Sequence, residues 1–432
     1  MGASVRRTVG RAGLVFGGNL ASTALGFLAN ILIMRSLGAG GFGVVVVTTT
    51  VLNVLWQLTG RGIDQAMVRC LALYGPQDPR RAEAARATVH QIKLIAGALV
   101  CLAGVGLAWP LTRFFIGPEA SPAPMVIAVV SSLAASIWGY TGAYLQATNR
   151  FRGYTFVLVA NAGVRFVVIA MLWVSQRMTI STAIGSLGVG YAAGAAIGYA
   201  MCPAGARGWR GSAEVRPVIY SLSRWLVISS VINLLYSRLD QLMLSRMLGP
   251  GPTGVYGAAA TFVQLVDLLT ASVMTVLLPR VCTQTDPGPL RRQAWASLRT
   301  SALLVVPMLS GFVLAEPVIG RLLGPSFGQT AVIFKIILAG ALFNVLTHPL
   351  QVIMHARGRT NRLLWLDVVL LLLSVPTNLV AISGYGVMGA AFAAVFLRVG
   401  AGAMLVALVA LELRAVDPVP RPVGGPPQPP RL

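Results

Sequence analysis

Two short stretches of the chain decide its fold. Residues 35–44 read RSLGAGGFGV, and residues 246–255 read RMLGPGPTGV. They lie 211 positions apart and share an arginine, a Leu-Gly pair, an inner glycine and a final Gly-Val. When the sequence is aligned with itself at an offset of 211 residues, other identical residues also coincide. They are Thr50 with Thr261, Leu58 with Leu269, Thr59 with Thr270 and Arg69 with Arg280. This repeat predicts two similar halves, and the glycines predict a tight turn with positive φ in each half.

The composition is that of an integral membrane protein. Of the 432 residues, 56% are hydrophobic and 11% are charged, and the mean hydropathy is +0.76. Soluble proteins carry about 25% charged residues. This chain has too few charged residues to form the polar surface of a soluble fold of its size, so ordinary soluble enzymes are excluded. The four cysteines show no spacing typical of a metal site or a disulfide framework. We therefore predict no metal and no cofactor.

The apolar stretches predict an all-α polytopic membrane protein. A bilayer-crossing helix needs roughly 20 apolar residues. We predict twelve transmembrane helices in two parallel six-helix repeats, which form two lobes around a central cavity. The lobes are residues 1–210 and 211–414, and the proline-rich residues 415–432 are expected to be a disordered cytoplasmic tail. The predicted spans are 12–34, 42–68, 94–111, 124–146, 154–175, 181–203, 225–245, 253–279, 300–320, 330–354, 363–383 and 387–411.

The basic residues predict the orientation. The chain has 34 Lys and Arg against 12 Asp and Glu, a net charge of +22. Loops on one side of the spans, with Lys93 counted among them, hold 24 of these cations. The opposite loops hold only Arg35, Arg113, Arg177, Arg246 and Arg321. The cation-rich side is cytoplasmic by the positive-inside rule. We therefore predict a multi-pass protein of the inner (cytoplasmic) membrane with both termini in the cytoplasm.

The surroundings of the glycine turn carry a family resemblance. In the second half the turn is preceded by DQLML at 240–244 and followed by GVYGAA at 254–259, and its long helix ends with LPR at 278–280. This pattern resembles the polysaccharide-transport, or O-antigen-type oligosaccharide flippase, branch of the multidrug/oligosaccharidyl-lipid/polysaccharide exporter superfamily. The resemblance implies a flippase that moves a polyprenyl-pyrophosphate-linked oligosaccharide across the membrane by alternating access, for surface polysaccharide assembly. The implied partners are this substrate, membrane lipids and a polysaccharide polymerase or glycosyltransferases, with no nucleic acid.

Three alternative functions remain open. A multidrug/cation antiporter of the same superfamily often has an acidic residue in its first helix, and residues 12–34 contain none. A lipid II flippase usually carries further C-terminal helices, whereas this chain has twelve predicted spans. A membrane glycosyltransferase generally needs a large outer loop with acidic catalytic residues, and neither such a loop nor a Ser/His/Asp set, P-loop or metal motif is present. We therefore do not expect an enzyme.

Charged residues at membrane depth are costly and mark candidate sites. Arg165 and Arg398 lie near the centres of spans. Each is interpreted either as part of a cationic cavity for pyrophosphate or as a partner of Asp267 or Asp240 in an interhelical salt bridge. Asn161, one turn before Arg165, and Arg61 complete the candidate substrate-binding set. The candidate gating or ion-pair set is Arg238, Asp240, Asp267 and Asp64, in which we favour a salt bridge for Arg238 and Asp267. We predict that Trp56 and Trp138 are packing or interface anchors.

Overall fold

The computed structural model describes residues 2–74, 78–202, 214–265, 290–356 and 360–414. Within these ranges the chain is helical, with no strand and one short 3-10 turn at Pro325–Phe327. The helices are α1 (Gly2–Thr59), α2 (Arg61–Tyr74), α3 (Pro79–Phe115), α4 (Ala123–Ala147), α5 (Phe151–Val174), α6 (Ile180–Met201), α7 (Arg216–Leu248), α8 (250–265), α9 (Leu290–Leu323), α10 (Thr330–Ala356) and α11 (Thr360–Arg414). The predicted all-α class is confirmed for this part of the chain. The tail after residue 414 and Asp267 lie outside it.

The two longest helices are each interrupted by a glycine. Helix α1 has 58 residues and α11 has 55, and a straight helix of that length would be roughly 85 Å long. Helix α1 breaks at Gly38, with φ 65° and ψ −175°, and α11 breaks at Gly386, with φ 60°. Gly249, which occupies the position of Gly38 in the second half, has φ 88° and ψ −177°. The prediction of a positive-φ glycine turn in both halves is therefore confirmed.

Eight stretches of the described residues are long and apolar enough to cross a membrane. Two of them cover more than one predicted span, because they run through the glycine breaks: Gly13–Ala72 has 60 residues and Leu364–Leu411 has 48. Helix α8 is described only as far as residue 265. The chain is thus a multi-pass membrane protein, and the number of twelve spans stays a prediction.

The two glycine turns cross and touch each other at residues that the repeat relates, and we call this contact the glycine crossing. A methyl group placed on Gly43 would lie 1.8 Å from the carbonyl oxygen of Pro250, and one placed on Gly254 would lie 1.8 Å from that of Ala39. Gly43 and Gly254 are 211 positions apart, and so are Ala39 and Pro250. The contact is therefore reciprocal, as at an interface with two-fold symmetry. Only glycine lets two helix ends approach this closely.

Further contacts join the two halves on both sides of the molecule. Beside the glycine crossing, the Arg35 guanidinium donates to the carbonyl oxygens of Leu322 (2.6 Å) and Arg321 (2.9 Å) at the end of α9. Reciprocally, the Ser245 hydroxyl donates to the Phe115 carbonyl at the end of α3 (2.7 Å). At the opposite side, the first turns of α7 pack into the first half, where Val215 and Ile219 share a buried cluster with residues of α2, α3 and α4. The two halves therefore meet at both ends and leave space between them.

Candidate functional site

A polar cavity of about 220 Å³ lies between the halves. Residues of α1, α5 and α6 line it from the first half, and residues of α7 and α8 line it from the second. The described lining includes two arginines, several amide and hydroxyl side chains and no acidic residue. Its polar members are Asn30, Thr49, Thr50, Asn53, Arg165, Tyr191, Arg238, Gln241, Thr261 and Gln264. The described lining of the cavity therefore carries positive charge, as an anion-binding site requires.

Arg165 of α5 is held in this cavity by an amide and not by a carboxylate. Its Nη2 donates to Oδ1 of Asn30 in α1 (2.8 Å), and its Nε is buried without a hydrogen-bond partner. In the described part of the chain, no carboxylate lies within ion-pair distance of Arg165. A buried guanidinium with an unused donor, and with no counter-ion among the described residues, is suited to bind an anion.

Arg238 of α7 lines the same cavity. The salt bridge expected for Arg238 and Asp267 stays a prediction, because Asp267 lies outside the described residues. The nearby Asp240 is occupied elsewhere: it accepts from the Tyr256 hydroxyl and from the Gln241 backbone N–H (2.8 Å). The structure therefore brings Arg165 and Arg238, from different halves of the chain, to one cavity.

Two other candidate binding residues, Asn161 and Arg398, are not among the residues that line this cavity. Asn161 is buried against α6, where its Cβ would lie 3.1 Å from a methyl group placed on Gly194. Arg398 of α11 donates from Nη1 to the Ile337 carbonyl of α10 (3.2 Å), so it ties two helices of the second half together. The Arg61 side chain is outside the described part of the structure.

Asp64, a member of the candidate gating or ion-pair set, forms a buried ion pair with Lys93, a partner that the sequence did not predict. The Lys93 Nζ lies 2.6 Å from Asp64 Oδ1, and the Lys93 side chain is 2% exposed. The assignment of Lys93 to a cytoplasmic loop is wrong, because α3 begins at Pro79 and carries Lys93 into the helix bundle. The other lysine, Lys335, also pairs at 2.6 Å, with Glu316, but its side chain is 30% exposed.

We expect Lys93→Met to lower the free energy of unfolding by about 3–5 kcal/mol, because it leaves the Asp64 carboxylate buried without its cation. The double variant Asp64→Asn/Lys93→Met should recover most of this loss. Lys335→Met is the matched control, and it should change the stability far less, because water screens its exposed pair with Glu316. Unfolding of the purified protein in detergent measures all three. Equal losses for the two lysine variants would contradict the expectation.

A second cavity, of about 280 Å³, lies inside the first half. Its lining includes Trp56, Asp64, Gln65, Trp138 and Gln146. The two indole rings contact each other, with centroids 5.7 Å apart, and each indole Nε1 is buried without a hydrogen-bond partner. Trp56 and Trp138, which the sequence predicts to be packing or interface anchors, thus pack on each other and also line a cavity.

Sequence comparisons place the chain among polysaccharide biosynthesis proteins. The profile of a family described as "Polysaccharide biosynthesis protein" matches residues 32–332. The amylovoran biosynthesis protein AmsL of Erwinia amylovora is 24% identical over 283 residues, which cover 64% of this chain and 72% of that protein. The probable flippase AglR of Haloferax volcanii is 24% identical over 181 residues, which cover 40% of this chain and 38% of that protein.

A solved structure shares the fold. The lipid II flippase MurJ in its inward closed conformation matches with a TM-score of 0.76 and 17% identity, covering 92% of this chain and 87% of that one. At this identity the match concerns the fold alone, and it places the helices described above in the architecture of that membrane transporter.

Proposed function

The chain belongs to the polysaccharide biosynthesis protein family, and from that premise we propose that it is a flippase for a polyprenyl-pyrophosphate-linked oligosaccharide. It moves this lipid from the cytoplasmic to the outer leaflet of the inner membrane, for surface polysaccharide assembly. The polymerase and the glycosyltransferases of that assembly are its expected functional partners. It is a transporter and carries out no covalent step.

The observation that carries the proposal is the arginine pair in the cavity between the halves. A pyrophosphate diester is an anion with several acceptor oxygens, and guanidinium groups bind such oxygens in a planar, two-pronged geometry. Arg165 has an unused donor, Arg238 has no ion pair in the described residues, and the described cavity lining holds no carboxylate. The same positive charge disfavours a cationic drug as substrate, so the antiporter alternative is the weaker one.

We further propose that the chain crosses the membrane twelve times, in two lobes with both termini cytoplasmic. The glycine breaks at Gly38 and Gly386 support this count, since each divides a helix that is too long for one crossing. The matching backbone of Gly38 and Gly249 supports a parallel repeat. Alternating access then consists of rocking the lobes about their mutual contacts, which lie at both ends of the cavity.

Deletion of the gene tests the function. We expect the deletion strain to accumulate lipid-linked repeat units on the cytoplasmic face of the membrane and to lose its surface glycan, because synthesis continues without transfer. The measurement is protection of the labelled lipid-linked glycan from an externally added glycosidase in spheroplasts. Restoration of surface glycan by the reintroduced gene is the control. Drug sensitivity with a normal surface glycan would instead identify an antiporter.

A further inference from the structure

The second cavity combines flat aromatic surfaces with polar groups. Trp56 of α1 and Trp138 of α4 border it, and both rings are partly exposed. Tyr191 of α6 extends the cluster, because its ring centroid lies 5.4 Å from that of Trp138 and 6.2 Å from that of Trp56. Tyr191 also lines the cavity between the halves that holds Arg165 and Arg238, which we call the arginine cavity. The aromatic cluster therefore borders both cavities.

The indole N–H groups of this cluster are unpaired. Nε1 of Trp56 and Nε1 of Trp138 are both buried, and neither has a hydrogen-bond partner. A buried donor without an acceptor costs roughly 1–3 kcal/mol. Two such donors side by side, next to a cavity, indicate that an acceptor reaches them in another state of the protein. In alternating access, that state is the widened cavity with substrate.

Three polar groups surround the space beside Gly139 of α4 that a side chain at this position would fill. An atom at the position of a Gly139 Cβ would lie 3.0 Å from Asp64 Oδ2, 3.3 Å from Trp56 Nε1 and 3.5 Å from Lys93 Nζ. Lys93 neutralises the carboxylate through Oδ1, which makes a cation an unsuitable occupant. Asp64 Oδ2 remains available as an acceptor, beside the N–H donors. This arrangement suits a neutral ligand that both donates and accepts hydrogen bonds.

We propose that this cavity, between Trp56, Trp138 and the Asp64–Lys93 pair, is a glycan subsite that binds one sugar ring of the substrate. A pyranose ring has an apolar C–H face that packs on an indole ring, and hydroxyl groups that both accept from N–H donors and donate to a carboxylate or amide oxygen. The volume of about 280 Å³ is just below the roughly 300–1,000 Å³ of small-molecule pockets, so the cavity fits one ring and not an oligosaccharide. The subsite rests on the proposed flippase function, with the pyrophosphate at Arg165 and Arg238.

Binding of two lipids to the full-length protein in nanodiscs tests the subsite. The probes are undecaprenyl pyrophosphate, which has no glycan, and the lipid-linked oligosaccharide extracted from the source strain. We expect Trp138→Leu to weaken binding of the glycan-bearing lipid at least about tenfold, as the loss of a buried aromatic anchor does, and to leave binding of undecaprenyl pyrophosphate unchanged. Trp138→Phe, which keeps a ring and removes the N–H, should give a smaller loss. Trp173→Leu, at an exposed position of α5, is the matched control.

A second pair of variants tests the role of the three polar groups beside Gly139. Gly139→Ala fills the point that Asp64 Oδ2 and Trp56 Nε1 surround, and it should weaken only the glycan-bearing lipid. Gly163→Ala, on α5 with nothing within 4 Å of the added methyl group, should have no effect on either lipid.

The outcomes separate the two proposals. Equal weakening of both lipids by Trp138→Leu, or no weakening of either, would overturn the glycan subsite and leave the flippase proposal standing. Failure of the wild-type protein to bind either lipid would overturn the flippase function and the subsite together. Weakening of both lipids by Arg165→Ala, with the Trp138→Leu effect confined to the glycan-bearing lipid, is the result we expect.

Discussion

Arg165→Ala is expected to reduce flipping at least about 30-fold, because removing one partner of a buried, hydrogen-bonded charged contact costs about 2–5 kcal/mol. The pyrophosphate would lose the guanidinium that faces it, and nothing else in the described cavity lining except Arg238 carries positive charge. The measurement is the flipping rate of the lipid-linked oligosaccharide in proteoliposomes, together with complementation of the deletion strain at matched expression.

Three comparison variants separate substrate binding from helix packing. Arg165→Lys keeps the charge and loses the planar fork, so it should retain part of the activity. Asn30→Ala removes the hydrogen bond between α1 and α5 and leaves the guanidinium, so it should cost much less than Arg165→Ala. Arg177→Ala, in the exposed turn after α5, should behave as wild type. Full activity of Arg165→Ala at normal expression, or equal losses for Arg165→Ala and Asn30→Ala, would rule out the assigned role.

The parts of the fold that the sequence predicted are those set by local chemistry. Apolar runs predicted the helices, since a chain in lipid must satisfy its backbone hydrogen bonds within each segment. The glycine turn was predictable because its residues repeat after 211 positions, and Gly38 and Gly249 indeed share one backbone conformation. The reciprocal contact of Gly43 and Gly254 was not predictable, because it depends on how two distant helix ends meet.

The sequence indicates how deep in the membrane a charged residue lies but not which way its side chain points, so it could name candidate residues for a site but not their arrangement. Arg165 and Arg238 reach one cavity, whereas Arg398 of similar depth bonds to a carbonyl of α10. The Lys93 ion pair left a signal in the sequence: lysine occurs only twice in a chain that otherwise uses arginine, and both lysines pair with a carboxylate. Trp56 and Trp138 left none, since tryptophan is common at membrane interfaces.

Gly43→Ala and Gly254→Ala are each expected to hold the outer end of the cavity open and to reduce flipping about 5–150-fold, the range that corresponds to about 1–3 kcal/mol of overpacking. The added methyl group would lie 1.8 Å from the carbonyl oxygen of Pro250 or Ala39. The two turns must therefore separate, and in the proposed orientation they lie on the outer side, where Arg35 and Ser245 join the halves. A transporter that cannot close its outer end cannot return to load substrate from the cytoplasm.

Accessibility measures this opening directly. In a background with the four native cysteines replaced by serine, Thr49→Cys places a thiol in the arginine cavity. A membrane-impermeant maleimide added outside should label it faster when Gly43 or Gly254 is alanine. The matched controls are Gly40→Ala and Gly251→Ala, which are themselves repeat-related and have nothing within 4 Å of the added methyl group. They should neither raise the labelling nor slow flipping. If Gly43→Ala labels and flips as Gly40→Ala does, the glycine crossing is not the outer closure, and the lobes must seal that end through other contacts.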